Sequence, residues 1–169
     1  MDFTSTLAAR LKPQPIERLQ TPADLGRWLV AADIVSTPPD ADANDLEKAI
    51  RLREAIFALA SARLAGQDAP RSRELLNDVA AWPSAAPQLD ASGTLRLVGP
   101  VAALLATIAR DAVHLLGGPH ASRVKQCESA TCTIFFVDTS RAGDRRWCSM
   151  AGCGNQAKVR EFRKRKSAG

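Results

Sequence analysis

All four cysteines of the chain lie in its last 43 residues, in two pairs with the same spacing. Cys127 and Cys132 form the first pair, Cys148 and Cys153 form the second, and 15 residues separate the pairs. Four thiolates are the donor set of a closed, tetrahedral structural zinc site, whereas catalytic zinc keeps an open position and commonly uses His or carboxylate ligands. The spacing therefore predicts structural Zn²⁺. Unligated structural cysteines, a redox pair and a catalytic metal are the alternatives.

Basic residues are concentrated around and after these cysteines. Residues 121–169 carry 11 Lys and Arg but 4 Asp and Glu, whereas residues 1–120 carry 12 and 14. This asymmetry predicts a polyanionic partner for the basic part, and a solvated basic tail at 163–166 is the plain alternative. The candidate nucleic-acid contacts are Arg145, Arg146, Asn155, Gln156, Lys158, Arg160, Arg163, Lys164 and Arg165.

The candidate contacts divide into two roles. The Lys and Arg side chains are expected to meet phosphates, which makes binding depend on salt. Asn155 and Gln156 are the candidates for reading bases. Asn155 has a competing structural role, because an Asn at this place can cap a helix or support the zinc loop. The residues do not distinguish DNA from RNA.

The elements that must position these residues can be read from the same segment. Residues 123–126 form a short alternating stretch that leads into the first cysteine pair. The β-branched and aromatic stretch at 133–137 predicts a strand. Residues 139–144 read as a loop, and a helix is expected from about Ala151 to Lys166. The small core of this module is expected to consist of Phe135, Trp147 and Phe162.

The remainder of the chain is rich in Ala and Leu and reads as helical. Thr21 and Pro22 predict a helix start, and further helices are expected at about 44–64, 70–81 and 101–116, with a β-hairpin at 87–98. The Gly-Gly-Pro sequence at 117–119 is the best candidate for a domain boundary. We therefore predict a mainly α domain with a small hairpin at residues 1–118 and a zinc-binding hairpin–helix module at 122–169.

Other classes of function find little support. No Ser-His-Asp order, phosphate loop or paired carboxylates stand out, so no enzyme is expected. The longest apolar run, 97–109, is too short for a membrane span, and the first residues lack the order of a signal peptide. A cytoplasmic protein is therefore expected. Arg27, Arg51 and Arg53 are candidates for binding an anionic ligand, although a solvated helix face explains them equally well.

Motifs in both parts carry a resemblance to known families. Residues 127–163 resemble the CGNR zinc finger, and the upstream part is similar to the ABATE domain. The finger motifs are Phe136-Val137-Asp138-Thr139-Ser140-Arg141, Arg145-Arg146-Trp147-Cys148-Ser149-Met150 and Cys153-Gly154-Asn155; the ABATE motifs are Asp2-Phe3-x-x-Thr6, Leu25-x-x-Trp28-Leu29 and Leu52-Arg53-Glu54-Ala55. The resemblance implies a bacterial, stress-related transcription regulator whose finger binds DNA and whose ABATE region binds a small ligand.

Two positions depart from the family pattern. Gln156 stands where the finger usually has Arg, which removes a charge and a bidentate donor. Ser5 stands where the ABATE motif usually has Asn. Three alternatives remain open: a zinc-stapled module that binds an acidic protein partner, an RNA-binding module, and an enzyme held in the helical body. A homodimer also remains open, because many DNA readers use two-fold sites, but no heptad pattern supports it.

Overall fold

The computed structural model describes residues 2–167, so Met1 and the last two residues of the predicted 122–169 module lie outside the described residues. The predicted fold class is confirmed: a mostly helical N-terminal part with small hairpins is followed by a hairpin and a helix that carry a four-cysteine cluster. We call residues 2–118 the body and residues 122–167 the finger; their independence as domains stays a prediction. The helices are α1 Pro22–Ala31, α2 Ala43–Leu64, α3 Pro70–Ala81, α4 Val101–Gly117 and α5 Asn155–Ser167, and the strands are β1 Leu7–Ala8, β2 Ile16–Glu17, β3 Ala86–Leu89, β4 Leu95–Val98, β5 Val124–Gln126 and β6 Phe135–Val137.

The helices of the body begin where local capping signals predict. Thr21 caps α1 through a reciprocal pair of hydrogen bonds with Asp24, and Pro22 occupies the first helical position. Asp42 caps α2 in the same way with Asp45, so the helix begins at Ala43, one residue before the predicted start. These caps satisfy backbone N–H groups that the helix itself leaves unpaired.

The core of the body lies between the helices. Helices α2, α3 and α4 pack against one another, and α1 packs on α2. Leu52 on α2 and Leu104 and Leu105 on α4 are completely buried. Burying such side chains is the main favourable contribution to folding.

The predicted hairpin of the body forms from β3 and β4, which pair antiparallel with Leu89 opposite Leu95. Asp90 closes the turn by accepting hydrogen bonds from the backbone N–H groups of Ser92 and Thr94. Gly93 adopts a φ of 78°, a left-handed conformation that favours glycine. A second short antiparallel pair, β1 with β2, was not expected from the sequence.

The finger consists of an antiparallel hairpin, a π-helical turn at Met150–Gly154 and α5. Phe135 is buried and Trp147 is half-buried, in agreement with their predicted core role. The prediction that Phe162 belongs to this core is wrong, because its side chain is 63% exposed. Helix α5 extends from the finger with no buried residue, so Phe162 has no core to join.

The finger contacts the body through aromatic rings. Phe57 of α2 and Phe135 of β6 meet edge to face with centroids 5.2 Å apart, and the Arg10 guanidinium lies 3.9 Å from the centre of the Phe57 ring. Arg63 of α2 also donates a hydrogen bond to the carbonyl of Ala121 in the connecting segment. Strand β6, which leads from the first cysteine pair, is thus packed directly on α2.

Candidate metal centre and nucleic-acid interface

The four cysteine sulfurs converge on one point. All four Sγ atoms lie within 4.8 Å of one another. The Sγ atom of Cys148 lies 3.8 Å from that of Cys132 and 3.7 Å from that of Cys153. A tetrahedron with zinc–sulfur bonds of about 2.3 Å has edges of about 3.8 Å, whereas a disulfide would bring two sulfurs to about 2 Å. The donor set and spacing therefore fit a structural Zn²⁺ ion, as the sequence predicts.

Backbone hydrogen bonds place each cysteine pair. The N–H of Cys127 donates to the carbonyl of Ile134 at 3.0 Å, and the N–H of Cys132 donates to that of Ser129 at 2.9 Å. In the second pair, the Ser149 hydroxyl accepts a hydrogen bond from the N–H of Gly152. The backbone carbonyl of Ser149 accepts one from the N–H of Gly154. Each pair thus lies in a tight turn that brings its two sulfurs toward one point.

The thiols sit in an environment that resists four negative charges at once. Burial raises the pKa of Cys132 to about 11 and also raises the pKa of Cys148. Burial opposes ionisation of Cys127 too, but hydrogen bonds from the backbone of Cys148 and Ser129 outweigh it and lower its pKa. A bound zinc ion supplies the positive charge that keeps thiolates together, so binding releases protons.

The glycine after the last cysteine lies in a closely packed position. A Cβ atom at Gly154 would lie 3.0 Å from the Met150 sulfur and 3.2 Å from a ring carbon of Trp147. Such distances are shorter than ordinary van der Waals contact, so a larger residue would require the Met150 and Trp147 side chains to shift. The Asn155 side chain donates to the carbonyl of Ala151, which agrees with its structural alternative.

Asp138 organises the loop between the hairpin and the second cysteine pair. Its side chain is completely buried and accepts four hydrogen bonds. The donors are Lys125 Nζ at 2.8 Å, the Arg145 N–H at 2.9 Å, and the N–H and hydroxyl of Ser140 at 3.0 and 2.6 Å. The Lys125 ammonium and the Ser140 hydroxyl hold the pKa of Asp138 well below its usual range. The carboxylate is therefore charged at neutral pH and ties β5, β6 and the loop together.

The two loop arginines predicted to contact phosphates both make contacts within the finger. Arg145 donates to the carbonyls of Trp147 and Cys148, and its guanidinium lies 4.6 Å from the centre of the Phe136 ring. Arg146 forms an ion pair with Glu128 at 2.6 Å. Arg145 is half-buried whereas Arg146 is exposed. Arg145 therefore stabilises the second cysteine turn.

Helix α5 presents two different faces. Ala157, Arg160 and Lys164 line a groove of about 270 Å³ against Trp147 and Glu128 of the finger. At 100° per residue, the opposite side of the helix, which we call the outer face, faces away from the finger. The outer face carries Asn155, Lys158, Val159, Phe162, Arg163, Arg165 and Lys166. Gln156 is exposed between the two faces.

The body contains a buried charge network centred on Arg53. Arg53 is 2% exposed, and two of its nitrogens lie 2.7 Å from the two carboxylate oxygens of Glu17. It also contacts Glu54 at 2.8 Å and the Thr6 hydroxyl at 3.2 Å, while Glu54 binds Arg10 through both oxygens. Burial alone would raise the pKa of Glu17 and Glu54, but the arginine hydrogen bonds outweigh it and lower both. Arg53 is one of the three arginines that the sequence suggests for binding an anionic ligand. Because it is buried and paired, it is not available to a ligand, and it does not lie on a solvated helix face.

Family models match both parts of the chain. Residues 1–119 match the ABATE model, which is described as "Putative stress-induced transcription regulator", and this range covers most of the chain. The chain belongs to the ABATE family. Residues 123–166 match the CGNR zinc finger model. No curated protein matches the chain.

The ABATE motif residues meet in one region of this family member. Thr6 of the first motif bonds Arg53 of the third, and Phe3 packs on Trp28 of the second with ring centroids 4.8 Å apart. Sequence reasoning missed this network, although one signal was present: Arg53 lies on the apolar face of α2, three residues after Ile50. A charged residue at such a position needs a buried partner.

Proposed function

We propose that this ABATE protein is a DNA-binding transcription regulator whose zinc finger presents α5 to DNA. One observation carries the proposal: α5 holds six Lys and Arg against one Glu, and none of its residues is buried. Within residues 2–167, the six basic side chains of α5 form no ion pair. Exposed, unpaired cations are the groups that neutralise phosphates.

The outer face has the composition expected at a DNA surface. In this proposal Lys158, Arg163 and Arg165 meet phosphates; the exposed Phe162 and Val159 lie between them on the outer face. The helix is about 20 Å long, and the major groove, about 12 Å wide, admits a helix. We infer that the cations contact the backbone while the apolar pair faces base edges, where thymine methyl groups offer apolar contacts.

The remaining candidates take secondary roles in this proposal. Arg160 and Lys164 line the groove against the finger and reach phosphates at the edge of the interface, as does the exposed Arg146. Gln156 retains donors and an acceptor that fit an adenine edge, although it lacks the charge of the usual Arg. Arg145 acts by fixing the zinc loop.

We further propose that the body senses a small ligand and that the protein acts in the cytoplasm. Cytoplasmic thiols stay reduced, so four cysteines there are available to zinc. None of the helices in residues 2–167 is long and apolar enough to cross a membrane. Dimerisation on a two-fold DNA site remains a prediction.

The test is selection of genomic fragments by the purified zinc-loaded protein, followed by a salt titration on the selected duplex. About five phosphate contacts give a slope of log affinity against log salt of roughly −4 to −5. Removing three outer cations, Lys158→Gln, Arg163→Gln and Arg165→Gln, should reduce the slope by about 2 to 3.

A matched control removes three exposed cations of the body, Lys12→Gln, Arg18→Gln and Arg71→Gln, and should leave the slope unchanged. A flat salt response, or equal effects of the two triple variants, would overturn the proposed interface. Equal binding of single-stranded RNA and duplex DNA would favour the RNA alternative, and binding to an acidic protein that survives excess DNA would favour the protein-interaction alternative.

A further inference from the structure

A cavity of about 550 Å³ opens on the body between α2 and the end of α3. Leu75 and the buried Val79 form its apolar part, and the half-buried indole of Trp82 stands beside them. The volume falls within the range of small-molecule sites, which are mostly apolar with a few polar groups. No residue of this cavity belongs to the zinc site, to α5 or to the Arg53 network.

The indole side of the cavity is held in place by α4. Arg110 donates from Nε to the carbonyl of Ala80 at 2.8 Å and from Nη2 to the carbonyl of Trp82 at 2.7 Å. The N–H of Trp82 donates to the carbonyl of Val79 at 3.2 Å. The backbone that carries the indole is therefore fixed before any ligand binds, which reduces the entropic cost of binding.

Charged groups at the cavity are available for a ligand. Lys48 and Arg51 lie one turn apart on α2, and the Lys48 ammonium is 6.0 Å from the centre of the Trp82 ring. Asp78 lines the cavity from α3. In the part of the chain that the structure describes, the side chains of Arg51 and Asp78 form no hydrogen bond or ion pair. The lining therefore has a net positive charge with an unused guanidinium.

We propose that this cavity binds a small planar aromatic carboxylate. The aromatic ring packs on the Trp82 indole and on Leu75, and the carboxylate accepts a bidentate pair of hydrogen bonds from Arg51. Lys48 adds a second positive charge, which disfavours cationic ligands. This inference deepens the sensing role proposed for the body and rests on it.

The test uses 2-naphthoate as the probe and the full-length zinc-loaded protein. Titration calorimetry should give a Kd of about 1 mM or tighter, and the indole N–H resonance of Trp82, assigned with Trp82→Leu, should shift. The neutral analogue 2-naphthamide should bind at least about 10-fold more weakly, because it lacks the charge that Arg51 recognises.

Variants separate this cavity from general attraction of anions. Arg51→Met should weaken naphthoate binding about 10-fold, whereas Arg71→Met, which removes an exposed arginine outside the cavity, should leave it unchanged. Asp78→Asn should tighten binding, because it removes a repulsive carboxylate. Equal affinity in the Arg51→Met and Arg71→Met variants, or a Kd far above 1 mM, would overturn the proposal.

Duplex binding is measured on the same samples without naphthoate. If DNA binds and naphthoate does not, the cavity assignment is wrong and the DNA-binding proposal stands. If naphthoate binds with the expected variant pattern and DNA does not, the DNA-binding proposal is wrong and the cavity assignment stands.

Discussion

In the body, four packed helices contribute to a continuous apolar core, and in the finger few apolar side chains are buried. The finger depends instead on four converging thiolates and on Asp138, which accepts hydrogen bonds from β5 and from the following loop. A module of about 45 residues buries too little apolar surface to fold on that basis alone. The difference indicates that the body is stabilised mainly by its core, whereas the finger is stabilised by a metal and by one buried carboxylate.

Each part nevertheless buries one charged side chain, and the two are satisfied differently. Arg53 in the body is matched by the carboxylates of Glu17 and Glu54. Asp138 in the finger is matched by one cation, Lys125, and by two backbone N–H groups and a hydroxyl. The arginine therefore joins distant segments by charge, whereas the aspartate fixes the path of a loop.

The largest effect should follow removal of zinc. Structural zinc sites contribute about 10–16 kcal/mol of apparent binding free energy, so chelation or Cys148→Ser should unfold the finger and leave the body folded. Amide resonances of 122–167 should collapse in NMR spectra while those of α1 to α4 persist. Adding zinc back should restore the chelated wild-type protein and not the variant. If the finger kept its dispersed resonances without zinc, the prediction that only the finger needs the metal to fold would be wrong.

Arg53→Met should destabilise the body more than changes at its exposed arginines. Losing the charged hydrogen bonds of Arg53 should cost about 1.5–3 kcal/mol in the free energy of unfolding, because Glu17 and Glu54 are 31% and 41% exposed and Glu54 keeps its pair with Arg10. Arg51→Met, two residues away and exposed, should change it by less than about 0.5 kcal/mol. Urea denaturation followed by circular dichroism measures both values, and similar losses would mean that the buried network contributes little.

Asp138→Asn should destabilise the finger, because an amide cannot accept all four hydrogen bonds. The folded pKa of Asp138 is lowered, so its stabilising contribution is complete above the ordinary carboxyl pKa of about 4 and is lost as the pH falls below it. Between pH 7 and 5.5 the difference in finger stability between wild type and variant should therefore stay constant. Asp144→Asn, an exposed acid of the same loop, serves as the control. A difference that shrinks within this range would contradict the assignment.

The smallest effect on stability is expected at Phe162. Phe162→Ala should change the free energy of unfolding by less than about 0.5 kcal/mol because the ring is exposed, but it should weaken binding to the selected duplex. Phe135→Ala removes a buried ring of the same size and should cost about 3–5 kcal/mol. Thermal unfolding and a DNA titration of both variants separate folding from binding, and unchanged affinity in Phe162→Ala would exclude this ring from the interface.

Local signals made part of the fold predictable. The Thr21–Pro22 start, the Pro70–Ala81 helix and the cysteine spacing each depend on residues close in sequence, and all three patterns appear in the structure. The position of Phe162 was mispredicted because helical spacing alone does not tell whether a surface exists for the ring to pack against. The Arg53 network was missed because Glu17 lies 36 residues away, and a partner at that distance leaves no local pattern.

The nucleic-acid candidates show a similar limit. Charge and spacing identified the basic segment, but they gave Arg145 and Lys158 the same role. The structure separates them: Arg145 is half-buried on carbonyl groups, and Lys158 is exposed on the outer face. Such a separation depends on how the loop folds around Asp138, which residue types alone do not reveal.

The edge-to-face contact between Phe57 and Phe135 has a practical consequence for work with separated halves. A fragment ending near residue 119 would expose the edge of the Phe57 ring that meets Phe135, and a fragment starting near residue 122 would expose the Phe135 ring. Each fragment would then have an exposed aromatic surface through which two copies can associate, whereas in the intact chain the two rings pack against each other. Self-association of such fragments would then reflect the cut and not the oligomeric state of the intact protein.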